Sequence, residues 1–290
     1  MKGIILAGGT GSRLWPITLG VSKQLLHVFD KPMIYYPLST LMLAGIREIA
    51  IVTTIHDQAA FKRLLGDGQN LGIEIEYVVQ DAPNGIAEAF LICQNFINSS
   101  PVALVLGDNI FHGQGVGRNL SVYTEINGAH IFAYQVNNPK DFGVVVLDDN
   151  LEPTEIQEKP TNSKSNLAVP GLYFYDSNVV EIAKTLERSA RGELEITALN
   201  MVYLQNQNLK VSVLPRGTAW FDGGTVRSLF DASTYVRSIE ERQGQKIGCI
   251  EEVAWRNGWI DDKKLISIAE KYKNNEYGEY LTYILQNDNV

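Results

Sequence analysis

The chain has 290 residues, 45% hydrophobic and 20% charged, an ordinary globular composition that excludes disorder over most of the length. The length fits one large α/β domain with an appendage, or two modest domains. With 25 basic and 33 acidic residues the net charge is −8, which argues against the basic face of a general nucleic-acid binder but allows a few cations placed on a small phosphorylated ligand.

Apolar runs alternate with helical patterns in chain order. Gly3–Ala7 reads as a short buried strand, and Pro32–Ala44 has helical spacing with Gly45 as its C-cap. Glu48–Thr53 is a strand, Gln58–Leu65 a helix and Ile73–Gln80 a half-exposed strand. Ile86–Ile97 is helical, and Val102–Leu106 is a fully apolar strand. This β-α-β-α order predicts a mostly parallel sheet with helices on both faces, whose ligands bind at the carboxyl ends of the strands. Beyond residue 129 short strands dominate: His130–Val136, Phe142–Leu147, Glu155–Glu158, Ala168–Tyr175 and Lys210–Leu214, with helices over Asn178–Leu186 and Glu195–Gln205. From Thr225 onward the pattern is helical. The division expected is an α/β unit over 1–225 and a helical tail over 226–290.

Cys93 and Cys249 lie far apart and in no CxxC pattern, so they read as free thiols of an intracellular protein. His27, His56, His112 and His130 are scattered without ligand spacing, which disfavours zinc. No apolar run approaches the roughly 20 residues of a bilayer span. The opening run is too short for a signal peptide. A soluble cytoplasmic protein is expected.

The first strand leads into Gly8-Gly9-Thr10-Gly11-Ser12-Arg13. Glycines there let backbone N–H groups approach an anion closely. A Walker A loop is excluded, since no Gly-Lys pair occurs in the chain. A dinucleotide fingerprint is excluded because Leu14 stands where its third glycine belongs, and no acid follows Ile51-Val52-Thr53-Thr54. What remains is a glycine-rich turn with two following cations, Arg13 and Lys23, which suits a triphosphate.

Leu6–Leu14, Ser22–Leu26 and Lys31–Pro37 resemble the N-terminal signature of the sugar-1-phosphate nucleotidyltransferases and, within them, the glucose-1-phosphate thymidylyltransferases. The likeness continues through Leu64–Gly68, Val105–Asn109, Glu158–Pro160, Gly171–Asp176, Arg191–Thr197, Glu251–Arg256 and Tyr277–Tyr280, so it covers nearly the whole chain. The resemblance implies a Rossmann-like α/β fold of the nucleotide-diphospho-sugar transferase type: a mostly parallel mixed sheet flanked by helices, with the helical tail appended. It implies transfer of a thymidylyl group from dTTP to glucose 1-phosphate, giving dTDP-glucose and pyrophosphate, the reaction that opens dTDP-rhamnose-type deoxysugar synthesis.

A phosphate nucleophile is already ionised and needs no general base, so the work falls on positioning and charge neutralisation. Two unit charges 4 Å apart repel by roughly 4 kcal/mol even at an effective dielectric of about 20, so the site must supply cations. In this reading Arg13 lies against the β- and γ-phosphates and Lys23 near the α-phosphate. Lys159 holds the sugar phosphate and Arg191 assists it. Asp108 and Asp222, each at the end of an apolar run, form a suitable Mg²⁺ pair. Leu6, Gly8, Gly9, Thr10, Gly11 and Ser12 line the nucleotide, with Gln80 and the backbone of Gly85 at the base, where a Gln amide suits the thymine edge. Asn109, Gly143, Glu158 and Val169 recognise the sugar. The resemblance further implies a homotetramer and a second pocket for feedback inhibition by dTDP-rhamnose, with Arg256 as a contact.

Several residues depart from the family pattern: His27, Asn84, Phe142, Val146, Leu167, Ala198 and Gly223. None removes a cation or a metal carboxylate. Phe142 and Leu167 lack hydroxyls, which leaves sugar choice open, and Gly223 is expected to loosen Asp222. The rival readings are the same chemistry with UTP or another hexose 1-phosphate, and a non-catalytic paralogue that binds nucleotide sugars.

Overall fold

In the computed structural model, which describes residues 1–287, the first half runs β1 (Lys2–Leu6), a β2–β3 ribbon (His27–Val28 and Lys31–Pro32), α1 (Tyr35–Leu43), β4 (Glu48–Thr53), α2 (Gln58–Leu65), β5 (Glu74–Val79), α3 (Glu88–Ile92), α4 (Gln94–Ile97) and β6 (Val102–Leu106). Then follow β7 (Asn109–His112), β8 (Ala129–Gln135), β9 (Gly143–Leu147), β10 (Pro153–Glu158), β11 (Leu167–Ala168), β12 (Leu172–Tyr175), α5 (Val179–Lys184), α6 (Ile196–Gln205), β13 (Leu209–Val213) and β14 (Ala219–Asp222). Four helices finish the chain: α7 (Val226–Gln243), α8 (Ile250–Arg256), α9 (Asp262–Lys271) and α10 (Glu276–Gln286).

Strand order in the ten-stranded sheet is β10-β9-β11-β8-β12-β6-β1-β4-β5, with β13 also paired to β8. β6, β1, β4 and β5 are mutually parallel, whereas β12 joins β6 and β8 antiparallel, and β11, β9 and β10 continue antiparallel. Strands β6, β1 and β4 are largely apolar on both faces because both faces are covered, whereas the edge strand β5 exposes Glu74 and Glu76. Successive side chains point to opposite sides. Ile5, Ile49, Ile51 and Val105 therefore enter one core with α1 and the tail helices, while Ile4, Ala50, Val52 and Leu104 enter a second core with α3, α5 and α6.

Three elements differ from the sequence reading. The Ile86–Ile97 helix is two short helices meeting at Cys93. The expected strand over Ala168–Tyr175 is broken into β11 and β12 by Pro170 and Gly171: Pro170 has no N–H to give, and a Cβ on Gly171 would lie 2.5 Å from Leu106 Cγ. The chain thereby leaves β9 for β6 while staying paired to β8. The α1 helix begins at Tyr35 because Lys31–Pro32 is already paired with β2.

The tail shares the first core through Ile250, Leu265, Ile268, Leu281 and Ile284. It is also tied by charge. Lys31 bonds Asp30 and Glu240, and Lys246 bonds the same two carboxylates. Burial raises the Asp30 carboxyl, but Lys31 and Lys246 outweigh it and hold it below the usual range. Removing one member of so buried a group costs about 3–5 kcal/mol. Cys93 and Cys249 are both free and buried. No helix among the described residues is long and apolar enough to cross a membrane.

Candidate functional site

A cavity of about 440 Å³ opens beside the carboxyl end of β6. Arg13, Asp108, Asn109, Gly143, Glu158, Lys159, Val169 and Asp222 all line it. Residues some 200 positions apart in the chain thus meet at one place. Lys23, Gln80, Gly85, Arg191 and the loop from Gly8 to Ser12 lie outside its lining.

β1 ends at Leu6 and delivers the glycine loop. Gly11 has φ +63°, and a Cβ there would press on the Thr18 side chain at 3.2 Å, so the turn requires glycine. Thr18 Oγ1 donates to the Gly11 carbonyl at 2.8 Å. Thr10 lies within this turn, and Ser12 opens the short 3₁₀ turn Ser12–Leu14 that carries Arg13. A Cβ on Gly9 would lie 3.9 Å from Lys23 Cε, and one on Gly8 would lie 2.9 Å from Gln80 Oε1.

Asp108 follows β6 by two residues. β14 pairs antiparallel with β7 so that Asp222 stands opposite Asn109. That pairing brings the two carboxylates together. Burial raises the Asp222 carboxyl, the Asp108 charge raises it further, and the Lys23 and Arg13 charges only partly oppose this. Asp108 is also pushed up by burial, but the Lys23 ammonium and hydrogen bonds from Lys23 and Asn109 hold it below the usual range. Lys23 is paired directly with Asp108. A Cβ on Gly224 would meet both Arg13 Nη2 at 2.8 Å and Asp222 Oδ1 at 2.9 Å, so guanidinium and carboxylate share that glycine. Gly223 itself is held on both sides. Its N–H donates to the Asp108 carbonyl at 2.8 Å, and Met33 Cε fills the space where a side chain would begin.

Asn109 proves to be a hub. Its Oδ1 accepts from Gly171 N at 3.1 Å and Trp220 Nε1 at 2.6 Å, while Nδ2 donates to Asp108 Oδ1 at 3.1 Å. It joins the strand break at Gly171 to the carboxylate pair. Val169 N donates to Gly143 O at 2.8 Å, which fixes the wall between these two backbone positions.

At the far end, Glu158 ends β10. Thr197 Oγ1 donates to Glu158 Oε2 at 2.6 Å, and Arg191 Nη2 lies 3.2 Å and Lys159 Nζ 3.7 Å from Glu158 Oε1. Arg191 also bonds Glu195 at 2.9 Å and approaches Glu193 at 3.6 Å. The cation assigned to help Lys159 is therefore held by three carboxylates. Lys159 adopts φ +43°, a left-handed conformation uncommon for a residue with a side chain, and its N–H donates to Phe142 O at 3.1 Å.

The loop expected to meet the base is clasped to the same region. Gly85 has φ +107°, and a Cβ there would overlap the Leu194 backbone at 2.3 Å. Leu194 N donates to Asn84 O at 2.7 Å, and Ala87 N to Leu194 O at 3.1 Å. Gln80 Nε2 donates to Glu88 Oε2 at 2.9 Å.

Sequence reasoning passed over Trp220, Thr197, Glu195, Asp141 and Tyr173, which also line the cavity. Trp220 carried a signal: in a strand it shares a face with Asp222, two residues on. Its ring lies 5.1 Å from that of Phe142. A second cavity, also of about 440 Å³, lies between α1, the β7 end and α8, and is lined by His112, Arg118, Lys246, Cys249, Glu252 and Arg256 among others.

A family model described as nucleotidyl transferase matches residues 2–239. The glucose-1-phosphate thymidylyltransferase of Mycobacterium tuberculosis is 57% identical over 286 residues, 99% of each chain. That of Neisseria meningitidis serogroup A is 55% identical over 287 residues, 99% of this chain and 100% of the relative. Among solved structures, a proposed glucose-1-phosphate thymidylyltransferase from Bacillus anthracis, in complex with a sucrose, superposes with a TM-score of 0.76 at 41% identity, over 82% of this chain and 96% of that one. A UDP-glucose pyrophosphorylase complexed with UDP-glucose has a TM-score of 0.72 at 24% identity over 82% and 98% of the two chains, a likeness of fold alone.

Proposed function

The chain belongs to the nucleotidyl transferase family, among the glucose-1-phosphate thymidylyltransferases, and on that premise we propose that it joins dTTP and glucose 1-phosphate into dTDP-glucose with release of pyrophosphate. The observation that carries this reading is the meeting of Arg13, the Asp108–Asp222 pair, Glu158 and Lys159 around one cavity. A sugar-phosphate oxygen attacks the α-phosphorus and pyrophosphate leaves in line. Arg13, on the turn after the glycine loop, faces the departing phosphates. Lys23 carries its charge to phosphate only when it leaves Asp108. Lys159 takes the sugar phosphate, and Glu158, already accepting from Thr197, accepts from sugar hydroxyls. A wrong epimer would leave that carboxylate unpaired.

Asp108 and Asp222 fit Mg²⁺. They are two hard-oxygen donors, Asp108 buried and Asp222 partly so, whose mutual repulsion lifts Asp222, and two carboxylates plus phosphate oxygens suit this ion. When bound there, Mg²⁺ supplies charge withdrawal from phosphate oxygens. In this reading residues 1–225 perform the chemistry and 226–290 serve packing, tetramer formation and regulation. The second cavity, with Arg256 in its lining, is the candidate pocket for dTDP-rhamnose feedback.

Pyrophosphate release with Mg²⁺ tests the reading, with dTTP, UTP, CTP, ATP and GTP against glucose, galactose and mannose 1-phosphates. Release with dTTP and glucose 1-phosphate is expected. Release only with another pair moves the substrate, and silence from a folded protein favours the non-catalytic paralogue.

A further inference from the structure

Glu88, the first residue of α3, gathers three donors on a largely buried carboxylate. Gln80 Nε2 bonds its Oε2 at 2.9 Å, Asn84 Nδ2 bonds its Oε1 at 2.8 Å, and Arg188 Nη2 lies 3.6 Å from the same oxygen. An ionised carboxylate only accepts hydrogen bonds. The Gln80 amide can therefore turn only one way, with its NH₂ toward Glu88. Its carbonyl Oε1 then stands beside Gly8 of the glycine loop, 2.9 Å from where a Cβ on that glycine would lie. A base that reaches Gln80 from the loop meets an acceptor.

We propose that Glu88 is a positioning residue for base selection: by fixing the orientation of the Gln80 amide, it makes the nucleotide site select a pyrimidine that carries N3–H over cytosine. Thymine and uracil offer a hydrogen at N3, whereas cytosine offers a lone pair there, which faces the Gln80 carbonyl unfavourably. The inference rests on the reading of Gln80 as the base contact. It explains why Asn stands at position 84, where the family pattern leads one to expect Asp: a carboxylate at 84 would face the carboxylate at 88, whereas an amide donates to it.

The test is the ratio of kcat/KM for dTTP over dCTP, with glucose 1-phosphate saturating, in the wild type, Glu88→Gln and the double variant Asn84→Asp/Glu88→Gln. In E88Q, positions 80, 84 and 88 are all amides and can flip together. The dTTP preference should then fall about tenfold or more, while kcat with dTTP stays within about threefold. In the double variant the carboxylate introduced at position 84 only accepts, so the amide introduced at position 88 turns its NH₂ to that carboxylate and its carbonyl to Gln80. The original orientation and the dTTP preference should both return. Thermal melts confirm that each variant is folded. An unchanged ratio in E88Q overturns the proposal. So does an equal loss with both nucleotides that the double variant does not relieve, since that marks a merely structural role. A wild type without dTTP preference, or a Gln80→Ala variant that keeps it, overturns the base-contact reading and the proposal with it.

Discussion

The Lys23 and Asp108 side chains, where the nucleotide is proposed to bind, are 12% and 11% exposed, whereas those of Lys159 and Arg191, where the sugar phosphate is proposed to bind, are 47% and 44% exposed. The two ends are also held differently. Backbone pairing sets the first: Asp108 follows β6, and Asp222 is registered against Asn109 by the β7–β14 ladder. Side-chain bonds set the second, where Arg191 and Lys159 rest on carboxylates. Charges in low-dielectric surroundings are felt strongly and need little reorganisation, while exposed ion pairs are weak and exchange easily. The difference teaches that backbone register places the carboxylates of the triphosphate end in advance, with Lys23 alone exchanging Asp108 for phosphate, whereas at the sugar end both cations must exchange side-chain partners to bind.

Substitutions should follow that ranking. The largest effect is expected from Asp108→Asn, which removes a metal carboxylate and strips Lys23 of its partner. Turnover should fall on the order of 10³, with a higher Mg²⁺ requirement in rate titrations. A near-wild-type rate would remove the claim that the buried end dominates. Arg13→Ala follows, at about 10² in rate by loss of one transition-state donor; a loss under tenfold demotes Arg13 to binding. Glu158→Gln should act on the sugar alone, raising the KM for glucose 1-phosphate about tenfold, as one charged hydrogen bond is worth. The KM for dTTP should stay within about twofold, and equal effects on both substrates would erase the distinction between the ends.

The smallest effect on the comparison is one that should touch both ends alike. His130, on β8, is held neutral by burial and by the Lys210 charge, with its pKa lowered to about 4 from an ordinary 6.5. The unfolded chain takes up this proton as pH falls below 6.5 and the folded chain refuses it, so stability is lost between about 6.5 and 4 and no further below. The full loss is on the order of 3 kcal/mol. Melting temperatures across that range should show a shallower acid decline for His130→Gln than for the wild type. An identical slope in both would mean that other groups govern acid stability.

The parallel half of the fold was legible because strands covered on both faces are written as unbroken apolar runs, as at Val102–Leu106 and Glu48–Thr53. The nucleotide end of the proposed site was legible for a related reason: Asp108 follows Val102–Leu106 after one glycine, Asp222 closes the run Ala219–Phe221, and Arg13, although exposed, closes the glycine turn that β1 leads into. Strand β7 was not, since four residues resuming one residue after Gly107-Asp108 leave no separate pattern. The partners of Arg191 were not legible either. Glu158, Glu193 and Glu195 meet it only once β10 and the segment before α6 are folded side by side. Glu88 carries no separate signal, since carboxylates are common in the first turn of a helix on electrostatic grounds alone. Its hold on Gln80 depends on a loop whose course Gly85 and Leu194 decide.

The clasp around Arg191 has a consequence for the order of encounter. Glu158, Glu193 and Glu195 outnumber Arg191 and Lys159 at that mouth, so a sugar phosphate approaches a field of its own sign. Salt shortens the reach of such a field to roughly 8 Å at physiological ionic strength. Capture of the sugar phosphate should therefore quicken from very dilute buffer to moderate salt, while the dTTP end, where Lys23 and Arg13 stand against Asp108 and Asp222, gains little from the same screening. A cell's ordinary ionic strength then acts as part of the doorway.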